Sequence, residues 1–151
     1  MKKLLLALLV LGAPFANSAE ALDEDNIRAM YNDLADAAQA KDVDGVLSHM
    51  RSDARVKISG AGLEGTLSMD IPMYRDRLMQ SWAATTIYLV MIGIESIEVA
   101  ADGQSAKVVN LTEEYYQLQD KSLQSKTLET ATLRLVDGQP KISLIEGVIQ
   151  P

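Results

Sequence analysis

The sequence predicts an α+β domain in which three N-terminal helices pack on an antiparallel β-sheet. Apolar residues recur at helical spacing as far as residue 83, and from residue 85 onward they recur at every second position. The 151 residues are 48% hydrophobic and 23% charged, which is the balance of a single globular domain. Short polar turns separate the later segments, which favours hairpins over crossover connections.

The first residues of the chain have the three parts of a secretory signal. Two lysines precede the apolar run at 4–11, and small residues follow it. This run is far shorter than the roughly 20 apolar residues of a membrane-spanning helix, so we expect no stable membrane insertion. We predict a signal peptide at 1–19, with cleavage between positions 18 and 21, and a single domain at 20–151. The mature protein is expected in the bacterial periplasm or secreted.

Charge and residue usage exclude several classes of function. The chain has no Cys and one His, His49, which excludes thiolate chemistry and every metal site that needs two imidazoles. We therefore expect no metal and no cofactor. Removal of the two N-terminal lysines would change the net charge from −7 to about −9, a charge that repels phosphate backbones. Nucleic acid is not an expected partner.

Three helices are expected in the first half of the domain. An acidic cap at 23–26 and an apolar stripe predict the first helix, up to Lys41. A second, shorter stripe begins at Asp42, includes Met50 and ends before Asp53. For the third helix, either Ser68 or Asp70 is a suitable cap, and the apolar side ends near Ala83.

Strands account for the rest of the domain. One short strand is predicted at 55–59, before a glycine-rich stretch. Four longer strands follow, as an antiparallel meander joined by short turns, and they span Thr85 to Val99, Ala106 to Leu118, Lys126 to Val136 and Lys141 to Ile149.

One strand segment is apolar on both of its faces. From Ile87 to Ile94 nearly every side chain is apolar, so both faces of this strand need to be covered. The helices cover one face, and a second subunit is the simplest cover for the other. We therefore expect a homodimer formed through the outer face of the sheet.

The segment from Asp42 to Val56 begins with Asp-x-Asp-Gly, continues with an apolar stripe and ends with Asp-Ala-x-Val. This pattern resembles the second helix and first strand of the nuclear transport factor 2-like superfamily. The order of helices and strands is similar over the whole mature chain. This resemblance, which extends to the SnoaL-like and ketosteroid isomerase-like groups, implies a cone-shaped α+β fold. The dimer would then form through the convex face of the sheet. The superfamily contains isomerases, dehydratases, cyclases and small binding proteins, so the fold alone does not name a function.

The resemblance also implies where a ketosteroid isomerase would carry its catalytic groups, namely a carboxylate base and an oxyanion hole of Tyr and protonated Asp. In this sequence the base position falls on Ile58, the Tyr position near Leu34, and the Asp position near Thr130 or Ala131. None of these can do the same chemistry. Ketosteroid isomerase-type catalytic residues are therefore absent, and the sequence leaves open whether the protein is an enzyme.

Two functions are consistent with these features. The first is a protein with an apolar pocket in the cone that binds a small hydrophobic ligand or a partner's segment. The alternative is a cofactor-independent cyclase, dehydratase or isomerase that uses Tyr31 with Glu114 or Glu129. A purely structural subunit, with the pocket filled by methionines, is a third reading. The candidate pocket residues are Tyr31, Ile58, Trp82, Tyr88, Glu114, Tyr116 and Glu129.

Overall fold

In a computed structural model, which describes residues 19–151, three helices lie against one curved, unclosed six-stranded sheet. The helices are α1 (Glu24–Gln39), α2 (Val43–Ser48) and α3 (Ile71–Ala83). The strands are β1 (Met50–Gly60), β2 (Leu67–Met69), β3 (Ile87–Val99), β4 (Ser105–Leu118), β5 (Lys121–Val136) and β6 (Gln139–Ile149). The predicted α+β class is confirmed, and so is the predicted order of elements, except that the short strand β2 between β1 and α3 was not predicted.

Each helix begins where an aspartate side chain accepts a hydrogen bond from a free backbone N–H. Asp23 and Asn26 form a reciprocal capping box at the start of α1. Asp42 accepts from the N–H of Gly45 to start α2, and Asp70, rather than Ser68, caps α3. The predicted starts of all three helices are therefore correct.

The sheet has the strand order β2-β1-β6-β5-β4-β3. The four long strands form the predicted antiparallel meander. Asp137 and Gly138, both with positive φ, close the β5–β6 hairpin in the conformation that Asp-Gly favours. The sheet is nevertheless mixed, because β1 pairs parallel with β6. That pairing joins strands far apart in sequence, and no local pattern predicts it.

Three boundaries differ from the prediction. α2 ends at Ser48, and Met50 lies in β1, where it pairs with Ile142. β1 is consequently 11 residues long, with an irregular register before Arg55. β5 starts at Lys121 rather than Lys126, because its first residues complete a long hairpin with β4. In each case a pairing with a neighbouring strand outweighs the local preference of the segment.

The core lies between the helices and the concave face of the sheet. Ile27, Val56, Val108, Leu133 and Ile142 are almost completely buried there. On the convex face the side chains of Ile87, Leu89, Met91, Leu128 and Val148 remain exposed within one chain. The strand that the sequence predicted to be apolar on both faces is therefore covered on one face by this chain, as expected.

The predicted signal peptide falls almost wholly on residues 1–18, which lie outside the described residues. Within residues 19–151, no helix is both long enough and apolar enough to cross a membrane. At the start of the described residues, Ala19 donates its backbone N–H to the carbonyl of Gly138 at 2.9 Å, and the buried Leu22 donates to the carbonyl of Gly103 at 2.7 Å.

Candidate functional site

A cavity of about 560 Å³ lies between the helices and the concave face of the sheet. Most of its lining is aliphatic or aromatic, with contributions from all three helices and from all six strands. Six of the seven predicted pocket residues line it, namely Ile58, Trp82, Tyr88, Glu114, Tyr116 and Glu129. The seventh, Tyr31, is buried in the adjoining core.

The strand register explains why these side chains converge. Tyr88 lies opposite Tyr116, and Glu114 lies opposite Val90 on the same face of the β3–β4 pair. Glu129 lies two residues from Ala131, and both face the concave side with the even-numbered residues of β4. Glu114 and Tyr116, whose face the sequence left open, both line the cavity.

The carboxylate of Glu114 is held by a tyrosine from the neighbouring strand. The hydroxyl of Tyr88 donates a hydrogen bond to Oε1 of Glu114 at 2.6 Å. Burial, together with the negative charge of Glu114, raises the pKa of Tyr88 far above its usual value, so Tyr88 stays protonated as the donor. The side chain of Glu114 itself is half-buried. The partner of Glu114 is the residue diagonally opposite on β3, Tyr88, which the sequence did not identify as its partner.

The backbone around Tyr88 is fixed by a side chain of α1. Gln39 donates from Nε2 to the carbonyl of Tyr88 at 2.7 Å, and its Oε1 accepts the N–H of Val90 at 3.0 Å. One amide therefore satisfies two backbone groups on the edge strand β3, as a neighbouring strand would. The ring of Tyr88 also packs against Trp82, with 5.7 Å between ring centroids. These contacts fix the position of the hydroxyl that binds Glu114.

Glu129 is the second carboxylate on the cavity wall. Asn110 donates from Nδ2 to Oε2 of Glu129 at 3.1 Å and to Oγ1 of Thr112 at 3.0 Å. Burial, with the nearby charge of Glu114, raises the pKa of Glu129 to about 6, although hydrogen bonds from Asn110 and Thr112 oppose the rise. Close to neutral pH this carboxylate is therefore ionised but can take up a proton readily.

Asn110 carries an unused acceptor next to this carboxylate. Its side chain is fully buried, and its Oδ1 has no hydrogen-bond partner among residues 19–151. A buried carbonyl oxygen without a donor is costly, and such groups are rare in folded proteins. The orientation of the amide fits an ionised Glu129, because only the Nδ2 end can donate to a carboxylate.

Tyr31 does not form the expected pair with a carboxylate. Burial raises its pKa, and Glu129 contributes only through its charge, since the partners of Glu129 are Asn110 and Thr112. Tyr74 of α3, which the sequence did not single out, lines the cavity instead and also has a pKa raised by burial. Tyr74 belonged to the apolar side of α3, so amphipathic spacing could have identified it.

His49 lies outside the cavity, at the C-terminal cap of α2. Burial and the nearby Lys141 lower its pKa, so it is a neutral residue on the flank of the helix at neutral pH. In the described part of the chain, no group of three or more acidic or histidine side chains could hold a metal ion. The third interpretation of the sequence, a pocket filled by methionines, is wrong. Met79 and Met91 are exposed, and Met30 lies in the core.

Comparisons with known proteins show the fold. No family model matches the sequence, and no curated protein does. Among solved structures, a conserved protein from Planctomyces limnophilus superposes with a TM-score of 0.71 at 14% identity, over 85% of this chain and 97% of that chain. A hexachlorocyclohexane dehydrochlorinase from Novosphingobium barchaimii gives a TM-score of 0.67 at 15% identity, over 84% and 86%. A ketosteroid isomerase-like protein from Erwinia carotovora gives 0.66 at 15%, over 86% and 100%.

This chain therefore has the fold that these solved structures share, which also occurs in a Streptomyces avermitilis protein described as belonging to the NTF2-like family, and it is the fold that the sequence resemblance implied. Identities of this size show the fold and do not transfer an activity.

Proposed function

We propose that this chain is an exported protein that binds a small hydrophobic ligand in the cavity between the helices and the sheet. The observation that carries this proposal is the cavity itself, which has a volume of about 560 Å³ and a mainly apolar lining. Its size and composition match those of sites that enclose small organic molecules. Leu67 and Leu123 line the same cavity and are also exposed, which gives an apolar molecule a favourable surface on entry.

Binding is tested with Nile red, a neutral dye whose fluorescence increases in apolar surroundings. The wild-type protein is expected to bind the dye saturably. Val90→Trp fills the cavity and should abolish this binding, whereas Glu98→Trp, on an exposed part of the same strand, should leave it unchanged. Equal binding by both variants would place the dye elsewhere and would contradict the proposal.

A cofactor-independent enzyme of the cyclase, dehydratase or isomerase type is the second candidate. It is supported by Glu129, whose pKa of about 6 suits a general base, and by the tyrosine-bound Glu114 beside it. Some proteins of the same fold are named as a dehydrochlorinase or as ketosteroid isomerase-like. In this function Glu129 would remove a proton from the carbon next to a carbonyl group of the bound molecule.

Proton abstraction is tested by following deuterium incorporation into a cyclic ketone, cyclohexanone, by nuclear magnetic resonance in D₂O. The wild-type protein is expected to accelerate the exchange, and the rate should rise as the pH increases through about 6. Glu129→Gln should remove the acceleration, whereas Glu98→Gln should not. An identical rate in Glu129→Gln would exclude Glu129 as the base.

Export is part of the proposal and rests on the sequence pattern of residues 1–19. Every cleavage position between 18 and 21 precedes Leu22, the first buried residue among those described, so cleavage removes none of the buried residues of the described domain. Bacterial expression of the full chain should give a periplasmic or secreted product that lacks 18 to 21 residues by mass. Leu8→Arg, in the apolar run, should retain the full-length chain in the cytoplasm; a wild-type product of full length would contradict export.

A homodimer through the convex face is likewise proposed. Its support is the exposed apolar surface formed by Leu89, Met91, Leu128 and Val148 on that face.

A further inference from the structure

We infer that the cavity selects a protonated amine attached to an apolar or aromatic body. This inference rests on the proposed ligand-binding function and names the chemical class of the ligand. Its basis is the polar part of the cavity wall, which contains the two carboxylates of Glu114 and Glu129 in mainly apolar surroundings.

The acceptors in this part of the wall outnumber the donors. Oε1 of Glu114 accepts from Tyr88, which leaves the second oxygen of Glu114 available to a ligand, and Glu129, which accepts from Asn110 and Thr112, adds a second negative charge to the same wall. A group with several N–H donors is the complement of such a surface, since an ammonium has three donors and no acceptor.

The charge balance of the cavity also favours a cation. Arg77 is the one cationic side chain among the described lining residues, and it is exposed on α3. Within residues 19–151 no ion pair joins it to Glu114 or Glu129. Two carboxylates that share a partly desolvated wall repel each other and any anionic ligand, and a positive charge between them relieves that repulsion.

The remaining wall suits the body of such a ligand. Trp82, Tyr88 and Tyr116 line the same cavity as the carboxylates, and aromatic faces attract cations as well as apolar groups. An inorganic cation is a poorer match, because the described residues contain no group of three acidic or histidine ligands. The cavity therefore combines carboxylates for the ammonium with aromatic and aliphatic side chains for its substituent.

The inference is tested by calorimetry with three naphthalene probes that differ in one group. They are 1-naphthylmethylamine, which is cationic, 1-naphthylmethanol, which is neutral, and 1-naphthoate, which is anionic. At pH 7.5 the amine should bind at least about tenfold more tightly than the alcohol, and the acid should bind most weakly. In Glu114→Gln/Glu129→Gln the preference for the amine should disappear, while the affinity for the alcohol changes by less than about twofold.

The outcomes separate this inference from the proposed function. If Nile red binds in the cavity but the amine has no advantage over the alcohol, the inference fails and the ligand-binding function stands. The same holds if the amine preference persists in the double variant. If neither Nile red nor any naphthalene probe binds, both fail. Circular dichroism checks that the double variant is folded, and the single variant Glu129→Gln serves in its place if it is not.

Discussion

Replacement of Glu129 by Gln is expected to stabilise the protein at neutral pH although it removes a charged cavity residue. In the folded protein the pKa of Glu129 is about 6, above its ordinary value of 4.5. Between these values the folded state binds more protons at this site than the unfolded state does. Stability from this group is therefore fully present below about pH 4.5 and is lost as the pH rises through 6.

The size of the effect follows from the displacement of this pKa. A rise from 4.5 to about 6 corresponds to roughly 2 kcal/mol of unfolding free energy above pH 7, which is the cost of burying the ionised carboxylate. Gln has no charge to bury, and its side-chain oxygen can still accept from Nδ2 of Asn110. The stability gain in Glu129→Gln should therefore be close to zero at pH 4.5 and about 2 kcal/mol at pH 7.5.

Urea denaturation of the wild type and of Glu129→Gln, measured at several pH values from 4.5 to 8, checks this expectation. The difference between the two proteins at each pH isolates Glu129, because other titrating groups such as His49 contribute equally to both. Glu98→Gln, at an exposed site on β3, should show no pH-dependent difference. A gain that is equal at pH 4.5 and 7.5, or a loss at pH 7.5, would refute the burial of an ionised carboxylate.

Two further expectations concern the other carboxylate and the convex face. Tyr88→Phe removes the 2.6 Å hydrogen bond to Glu114 and should lower the unfolding free energy by about 1–3 kcal/mol. Tyr116→Phe, on the same face, should lower it by less. Equal losses of stability in thermal or urea unfolding would contradict a stabilising Tyr88–Glu114 hydrogen bond. Met91→Asp adds a charge to the convex face and should convert a dimer to a monomer in light scattering. Met73→Asp, at a methionine of similar exposure on α3, should remain dimeric; a wild-type monomer would overturn the dimer proposal.

Strand alternation places every second residue on one face, so the sequence predicted that Glu114 and Tyr116 share a face of their strand. The sequence left open which face lines the cavity, and the structure places Glu114, Tyr116, Glu129 and Tyr88 there. Alternation could not identify the hydrogen-bond partners, because Tyr88 is a diagonal neighbour of Glu114 while Asn110 lies directly opposite Glu129, and which contact forms depends on side-chain direction and sheet curvature. Asn110 was missed for a related reason, since an isolated polar residue in a strand has no sequence signal for being fully buried.

The sequence by itself determined the class of the fold, the helix starts and the antiparallel meander, because caps, apolar periodicity and Asp-Gly turns act over a few residues. The tertiary structure alone decided where α2 ends, the parallel pairing of β1 with β6, and the cavity. It also placed the carboxylates of Glu114 and Glu129 on one cavity wall, with Asn110 as a buried hydrogen-bond donor to Glu129. These features join residues far apart in the chain, so their energies depend on contacts that exist only after folding, and no local pattern encodes them.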